Sequence, residues 1–105
     1  MTTNELEGRA LAEAAARAMG WKKLQGSETW DDGTYLRTMG QRPMTERECL
    51  AWLHERGFLH TFSGSGKCHA TIVGTYGSRD DAGGLDLLEA LQRLVVAVAA
   101  REVKQ

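Results

Sequence analysis

With 105 residues, 42% of them hydrophobic and 26% charged, the chain has the make-up of one globular domain and is too short for two. A net charge of −1 gives no general attraction to nucleic acid or to an anionic membrane. One proline and the lack of any charge block argue against a long disordered segment.

A chain of this size buries about two-thirds of its unfolded surface, so it holds a modest core without staples. The opening MTTNELEGR lacks the basic region and apolar core of a signal peptide. The longest apolar run, Leu94 to Ala100, is far short of the roughly 20 residues that a membrane span needs. These features imply a cytoplasmic protein without a membrane segment, and free thiols at Cys49 and Cys68.

A first helix is predicted from about Glu5 to Met19, with Asn4 as its cap and Glu7 answering it. Its inner face would be Leu6, Ala10, Leu11, Ala14 and Ala18. Gly20 stops it, and Trp21 folds back as a core anchor. Lys22 to Ser27 read as loop. Asp32-Gly33, set between aromatic and β-branched residues, predicts a two-residue hairpin with Trp30 opposite Tyr35.

Thr45 and Glu48 form a capping box at the start of the second helix, and Met44 can staple onto Cys49. Cys49, Leu50 and Leu53 face inward, with Trp52 beside them. Gly57 ends this helix, and Phe58 closes it by an apolar contact. A second hairpin then runs FLHTFS-GSG-KCHATIVGTY. A two-residue turn would group Phe58, His60 and Phe62 with Lys67, His69 and Thr71. A three-residue Gly64-Ser65-Gly66 loop would set Phe58 and Phe62 beside Cys68, Ala70 and Ile72. The second register gives one apolar face and is preferred on that ground. It leaves no aromatic residue on the outer face.

Gly77 to Gly84 read as a Gly-rich loop, with Asp80, Asp81 and Asp86 near the start of the last helix. That helix, from Leu85 to about Arg101, carries Leu87, Leu88, Leu91, Leu94, Val95 and Val98 on one stripe. Leu85, Val96 and Val103 fall on roughly the opposite side. They are covered by the first helix or serve as a subunit or partner interface. The predicted order is α-β-β-α-β-β-α. It makes one α+β domain over residues 1–105, with a four-stranded antiparallel sheet packed against helices.

No motif fixes a chemistry. Ser63-Gly64-Ser65-Gly66-Lys67 lacks the upstream Gly and the following Ser or Thr of a phosphate-binding loop. Cys49, His54, His60, Cys68 and His69 show none of the spacings of a zinc site, so neither a metal nor another cofactor is expected. Adjacent Cys68 and His69 face opposite ways on a strand. Cys68 and His60 share a face in the preferred register, but no acid is placed to orient His60. An RNA-recognition sheet needs outward aromatics, and a double-stranded-RNA-binding domain carries a Lys cluster where this last helix has Asp and Glu. Nucleic acid is therefore not the expected partner.

With its elements placed, the chain resembles the phage ABA sandwich domain, a family of short phage and prophage proteins. The resemblance runs through Ala18-Met19-Gly20-Trp21, the hairpin at Trp30 to Tyr35 and the helix at Thr45 to Gly57. It continues through the Gly-interrupted hairpin and the Ala- and Leu-rich closing helix. It implies three layers, helix on sheet on helix, no catalytic residues, and an accessory role in infection such as action against host defence.

Three functions are carried forward. The first is a non-enzymatic inhibitor that binds a host defence protein. The second is a homo-oligomer that binds or sequesters a nucleotide signal, with Lys67, His69 and Arg79 gathered near the Gly-rich hairpin as ligand residues. The third is an enzyme with no assigned site, which would need Cys68 or His60.

Overall fold

A computed structural model of the protein describes residues 8–39, 42–64, 66–74 and 77–103, and of Val103 only the backbone. The elements are α1 (Gly8–Ala18), β1 (Lys22–Lys23), β2 (Thr29–Asp31), β3 (Leu36–Thr38), α2 (Glu46–His54), β4 (Gly57–Gly64), β5 (Lys67–Gly74), β6 (Arg79–Gly84) and α3 (Leu87–Val103). The fold is α+β, as expected. In place of one four-stranded sheet there are two antiparallel sheets of three strands, ordered β1-β2-β3 and β4-β5-β6.

The helix boundaries follow local chemistry. Gly20 takes a φ of 90°, where a side chain would be strained. Its N–H donates to Arg17 O at 3.1 Å and the Trp21 N–H to Ala16 O at 2.9 Å, the double closure that ends a helix on a left-handed glycine. Trp21 is buried, as predicted. At α2 the capping box is complete, with Glu48 N donating to Thr45 Oγ1 and Thr45 N to Glu48 Oε1. Met44 and Cys49 meet behind it, sulfur to sulfur at 3.4 Å. Asp86 accepts from the Glu89 N–H at 2.8 Å and so caps α3.

α3 is the centre of the molecule. It packs on β5 and β6, and α1 and α2 pack against it as well. Leu91, Leu94, Val95 and Val98 are fully buried in one core with Ala15, Ala16, Trp30, Leu53 and Ile72. A helix with neighbours on two sides needs apolar residues on two sides, which accounts for Val96, packed against that core. Among the described residues no helix is long and apolar enough to cross a membrane.

Several expectations need correction. The buried face of α1 is Leu11, Ala15 and Ala16, whereas Ala10 is exposed and Ala14 and Ala18 are half-buried. Asn4, Glu5, Leu6 and Glu7 lie outside the described residues. The first hairpin pairs Trp30 with Arg37, not with Tyr35. Its turn is longer because Asp32 accepts from the N–H groups of Thr34 and Tyr35, at 2.8 and 2.7 Å, and Asp31 accepts from that of Gly33. Lys22–Lys23 and Arg79–Gly84, read as loops, are strands. Neither has strand composition, and each is held by pairing with a stronger neighbour.

The second hairpin takes the two-residue turn, with Gly64 opposite Lys67 and Gly66 at a φ of 73°. The preferred three-residue register is therefore wrong, and so is the inward placing of Phe58 and Phe62, whereas Cys68, Ala70 and Ile72 do face inward. α3 packs on β5 and β6, where a Cβ on Gly84 would come within 2.8 Å of the Ala90 backbone N and the inner face carries Ala70, Ile72 and Ala82. The inward positions of β4 gain little from it, since Thr61 and Ser63 are exposed. Phe58 is exposed and does not close α2, and Leu59, Thr61 and Ser63 share the inner side.

The two cysteines are free, and they differ sharply in access. Burial, with the nearby charges of Glu48 and Glu46, pushes the Cys49 thiol up to about 12. Cys68 is half-buried, 3.5 Å from Ser63 Oγ. A chromogenic thiol reagent at pH 8 should titrate Cys68 first. Cys49 should follow about 10³-fold more slowly, on opening of the chain. Equal rates would contradict this packing, and a Cys68→Ala variant assigns the phases.

Candidate functional site

The observed register gives β4–β6 two unlike faces. Cα partners share a face, so Phe58, His60 and Phe62 stand with His69, Thr71 and Val73, and with Arg79 and Asp81. This face is open. Phe58 is 79% exposed and Phe62 66%, and His60, Lys67, His69, Arg79 and Asp81 are exposed too. The other face lies against α3 and carries Ala70, Ile72 and Ala82. Among the described residues no helix covers the open face, so the three-layer sandwich implied by the resemblance is not seen.

Three sequence arguments change with the register. His60 points outward, beside His69 and not away from it. Cys68 and His60 lie on opposite faces, so they form no nucleophile and base pair. The outer face does carry aromatic residues, so their supposed lack no longer counts against nucleic acid. Asp81 sits among the cations of this face and is paired with Arg79. The Thr71 hydroxyl, followed by Arg79, holds the Asp81 carboxyl below its usual range.

The ligand residues read from sequence come together only in part. Lys67 and His69 line a cleft of about 420 Å³ with Leu85, Glu89 and Arg93, over a floor of Gly83 and Gly84. The His69 ring lies over Gly83, where a Cβ would sit 3.1 Å from its Nδ1. Arg93 donates to Gly83 O at 2.8 Å and pairs with Glu89 at 2.6 Å, which fixes one wall. Arg79 does not join them. It pairs with Val73, six residues along β5 from Lys67, which is about 20 Å of strand.

The three interface residues also separate. Leu85 is 76% exposed at the rim of that cleft, Val96 packs against the core, and the side chain of Val103 is outside the description. A larger hollow of about 600 Å³ lies between α1, α3 and the connector before α2, with Leu11, Met39, Met44 and Leu88 in its wall. Gly8 and Met39 on its rim adjoin undescribed residues, so no site is assigned there. No group of three His, Cys, Asp or Glu suited to a metal ion occurs among the described residues.

Sequence reasoning missed Phe58 and Phe62 as surface residues. The available signal was the small size of Cys68, Ala70 and Ala82, which marks a face pressed against a helix. Comparison with protein-family models, with curated proteins and with solved structures returned no match.

Proposed function

We propose that this protein works by binding another protein through the open face of β4–β6. The observation that carries the reading is the pair Phe58 and Phe62, exposed on a sheet whose opposite face packs on α3 through β5 and β6. Large aromatic side chains on a rigid surface are the usual anchors of protein interfaces, because they bury much area at little entropic cost. His60 and His69 add polar contacts around them. Among the described residues no constellation for turnover accompanies this face, and the reading is non-enzymatic. The resemblance to the phage ABA sandwich supplies the partner class. The protein would be a phage accessory factor in the host cytoplasm, inhibiting a defence protein by occupying it.

The test is capture of partners from host lysate by the immobilised protein, then reconstitution with the purified partner. Phe58→Glu and Phe62→Glu should each weaken the reconstituted complex at least 10-fold while leaving the melting temperature nearly unchanged, since both side chains are exposed. Unaltered affinity in both variants would sink the reading.

The cleft of Lys67 and His69 supports a second reading, a binder of a small anion such as a nucleotide signal. A Lys, a His and an apolar wall at Leu85 suit a phosphate and a base. A nucleotide that binds there raises the melting temperature at concentrations well above its dissociation constant, and Lys67→Ala removes the rise.

A further inference from the structure

The two sheets have four edges, and three of them are blunted. β1 is two lysines long, β3 is three residues and contains Arg37, and β6 carries Arg79, Asp80 and Asp81. Short or charged strands of this kind protect a sheet from joining another chain. β4 has none of these devices. It is eight residues long, Gly57 to Gly64, with no charge and no proline, and from His60 to Gly64 every residue is exposed. We infer that the β4 edge pairs antiparallel with β4 of a second copy of this chain, about a two-fold axis at His60, to make one six-stranded sheet.

The first argument is hydrogen-bonding direction. Gly74 N donates to Ser78 O, across to β6. Alternation along β5 then aims Val73, Thr71 and His69 at β4, where they exchange bonds with Phe58, His60 and Phe62. The N–H and C=O groups of Leu59, Thr61 and Ser63 therefore point out of the free edge. Antiparallel pairing centred on His60 sets Leu59 opposite Thr61 of the second copy, so both use their outward groups.

The second argument is self-complementarity. The outward side chains of β4 read Phe58, His60, Phe62, the same in either direction. A two-fold axis at His60 sets each Phe58 against Phe62 of the second copy, in the closer, non-hydrogen-bonded kind of pair that suits aromatic contact. A two-fold axis also sets the residue on it against its own copy and its neighbours close by, so charge there is costly, and β4 holds no Asp, Glu, Lys or Arg.

The third argument is area. A Phe side chain offers about 150–250 Å². At the observed exposures, two from each copy supply at most about 400–700 Å², and the backbone edges add to it. That is below the roughly 1,200 Å² of a standard stable interface, so the dimer is weak and depends on concentration. The seam would gather four Phe and two His on the open face. The inference thus deepens the proposed function, and it rests on that reading only for what the seam is used for.

The experiment is solution mass by light scattering across micromolar to millimolar concentration, for the wild type and for Thr61→Pro. The Thr61 N–H faces the free edge, so proline removes an intermolecular donor and no bond to β5. The expected result is a wild type that doubles its mass with concentration and a variant that stays monomeric with a similar melting temperature. In a Cys68→Ala background, His60→Cys should form a disulfide-linked dimer under mild oxidant, since Cα atoms about 4.5 Å apart lie within disulfide range. This arm holds even if Thr61→Pro fails to fold. A wild type that is monomeric at all concentrations overturns the inference. So does a dimer that survives Thr61→Pro, or one that shows no cross-link at position 60. Thr61→Pro keeps both Phe residues, so partner capture is read separately: a monomeric variant that still captures its partner removes only the dimer's role in binding.

Discussion

Arg37→Ala is expected to destabilise the fold by about 3 kcal/mol. The guanidinium is buried, with its side chain 5% exposed, and it ties three elements together. Its Cζ lies 4.0 Å from the centroid of the Trp21 ring, just past the end of α1. One nitrogen donates to Glu48 Oε2 at 2.7 Å on α2, and another lies 3.5 Å from Asp32 Oδ2 in the β2–β3 turn. Glu48 is committed from both sides, because its other oxygen accepts from Thr45 at the helix cap. Removing the cation leaves two partly buried carboxylates unbalanced and empties the stack on Trp21. Glu48 is 28% exposed, so water relieves part of the loss, and the figure sits at the low end for a broken buried pair. Chemical denaturation would read the change, and a loss under about 1 kcal/mol would place Arg37 among ordinary surface ion pairs. Acid adds a second readout. Asp32 is held below its usual range by the Tyr35 N–H first, and also by the Thr34 N–H and the charge of Arg37. A depressed carboxyl contributes stability that is present above its unfolded value, about 4, and is lost as pH falls through the folded value. The loss below pH 4 should be shallower in Arg37→Ala than in the wild type.

Arg37 also marks where sequence reasoning stops. Elements with strong local signals were legible. The capping box of Thr45 and Glu48, the glycine stop at Gly20 and the apolar stripe of α3 are each decided by residues within a turn of one another. Arg37 was invisible, because its burial depends on Trp21 and Glu48 arriving from two other elements. β6 was read as loop for a similar reason. Arg-Asp-Asp-Ala-Gly-Gly has no strand character, and its place is set by Ala82 lying opposite Ala70 beneath α3. The open face is the clearest case. Both hairpin registers were open from the residues alone. Gathering the aromatic residues inward was the natural preference, but α3 packs on β5 and β6, and the inward side of β4 stays open at Thr61 and Ser63. Lys67 and His69 were picked as neighbours and do share a cleft, whereas Arg79 was placed with them only by the assumption that its segment was a loop.

The central position of α3 makes the other large prediction. Leu94→Ala should cost about 3–4 kcal/mol, because Leu94 is fully buried in the core of a helix packed on β5, β6, α1 and α2, and its loss leaves a cavity. For a domain of this size that corresponds to a fall of at least about 12 °C in melting temperature. Val96, on the other side of the helix, is half-buried against the same core, and Val96→Ala should cost only about 1 kcal/mol. Val96→Glu separates packing from assembly. A carboxylate at a position packed against the core should lower the melting temperature and leave the concentration dependence of the mass unchanged, since the proposed contact runs through β4. If Val96→Glu instead abolished the dimer at unchanged stability, the second apolar side of α3 would be a subunit interface. The wild-type contrast between Leu94 and Val96 would then need a different origin from a helix enclosed on two sides.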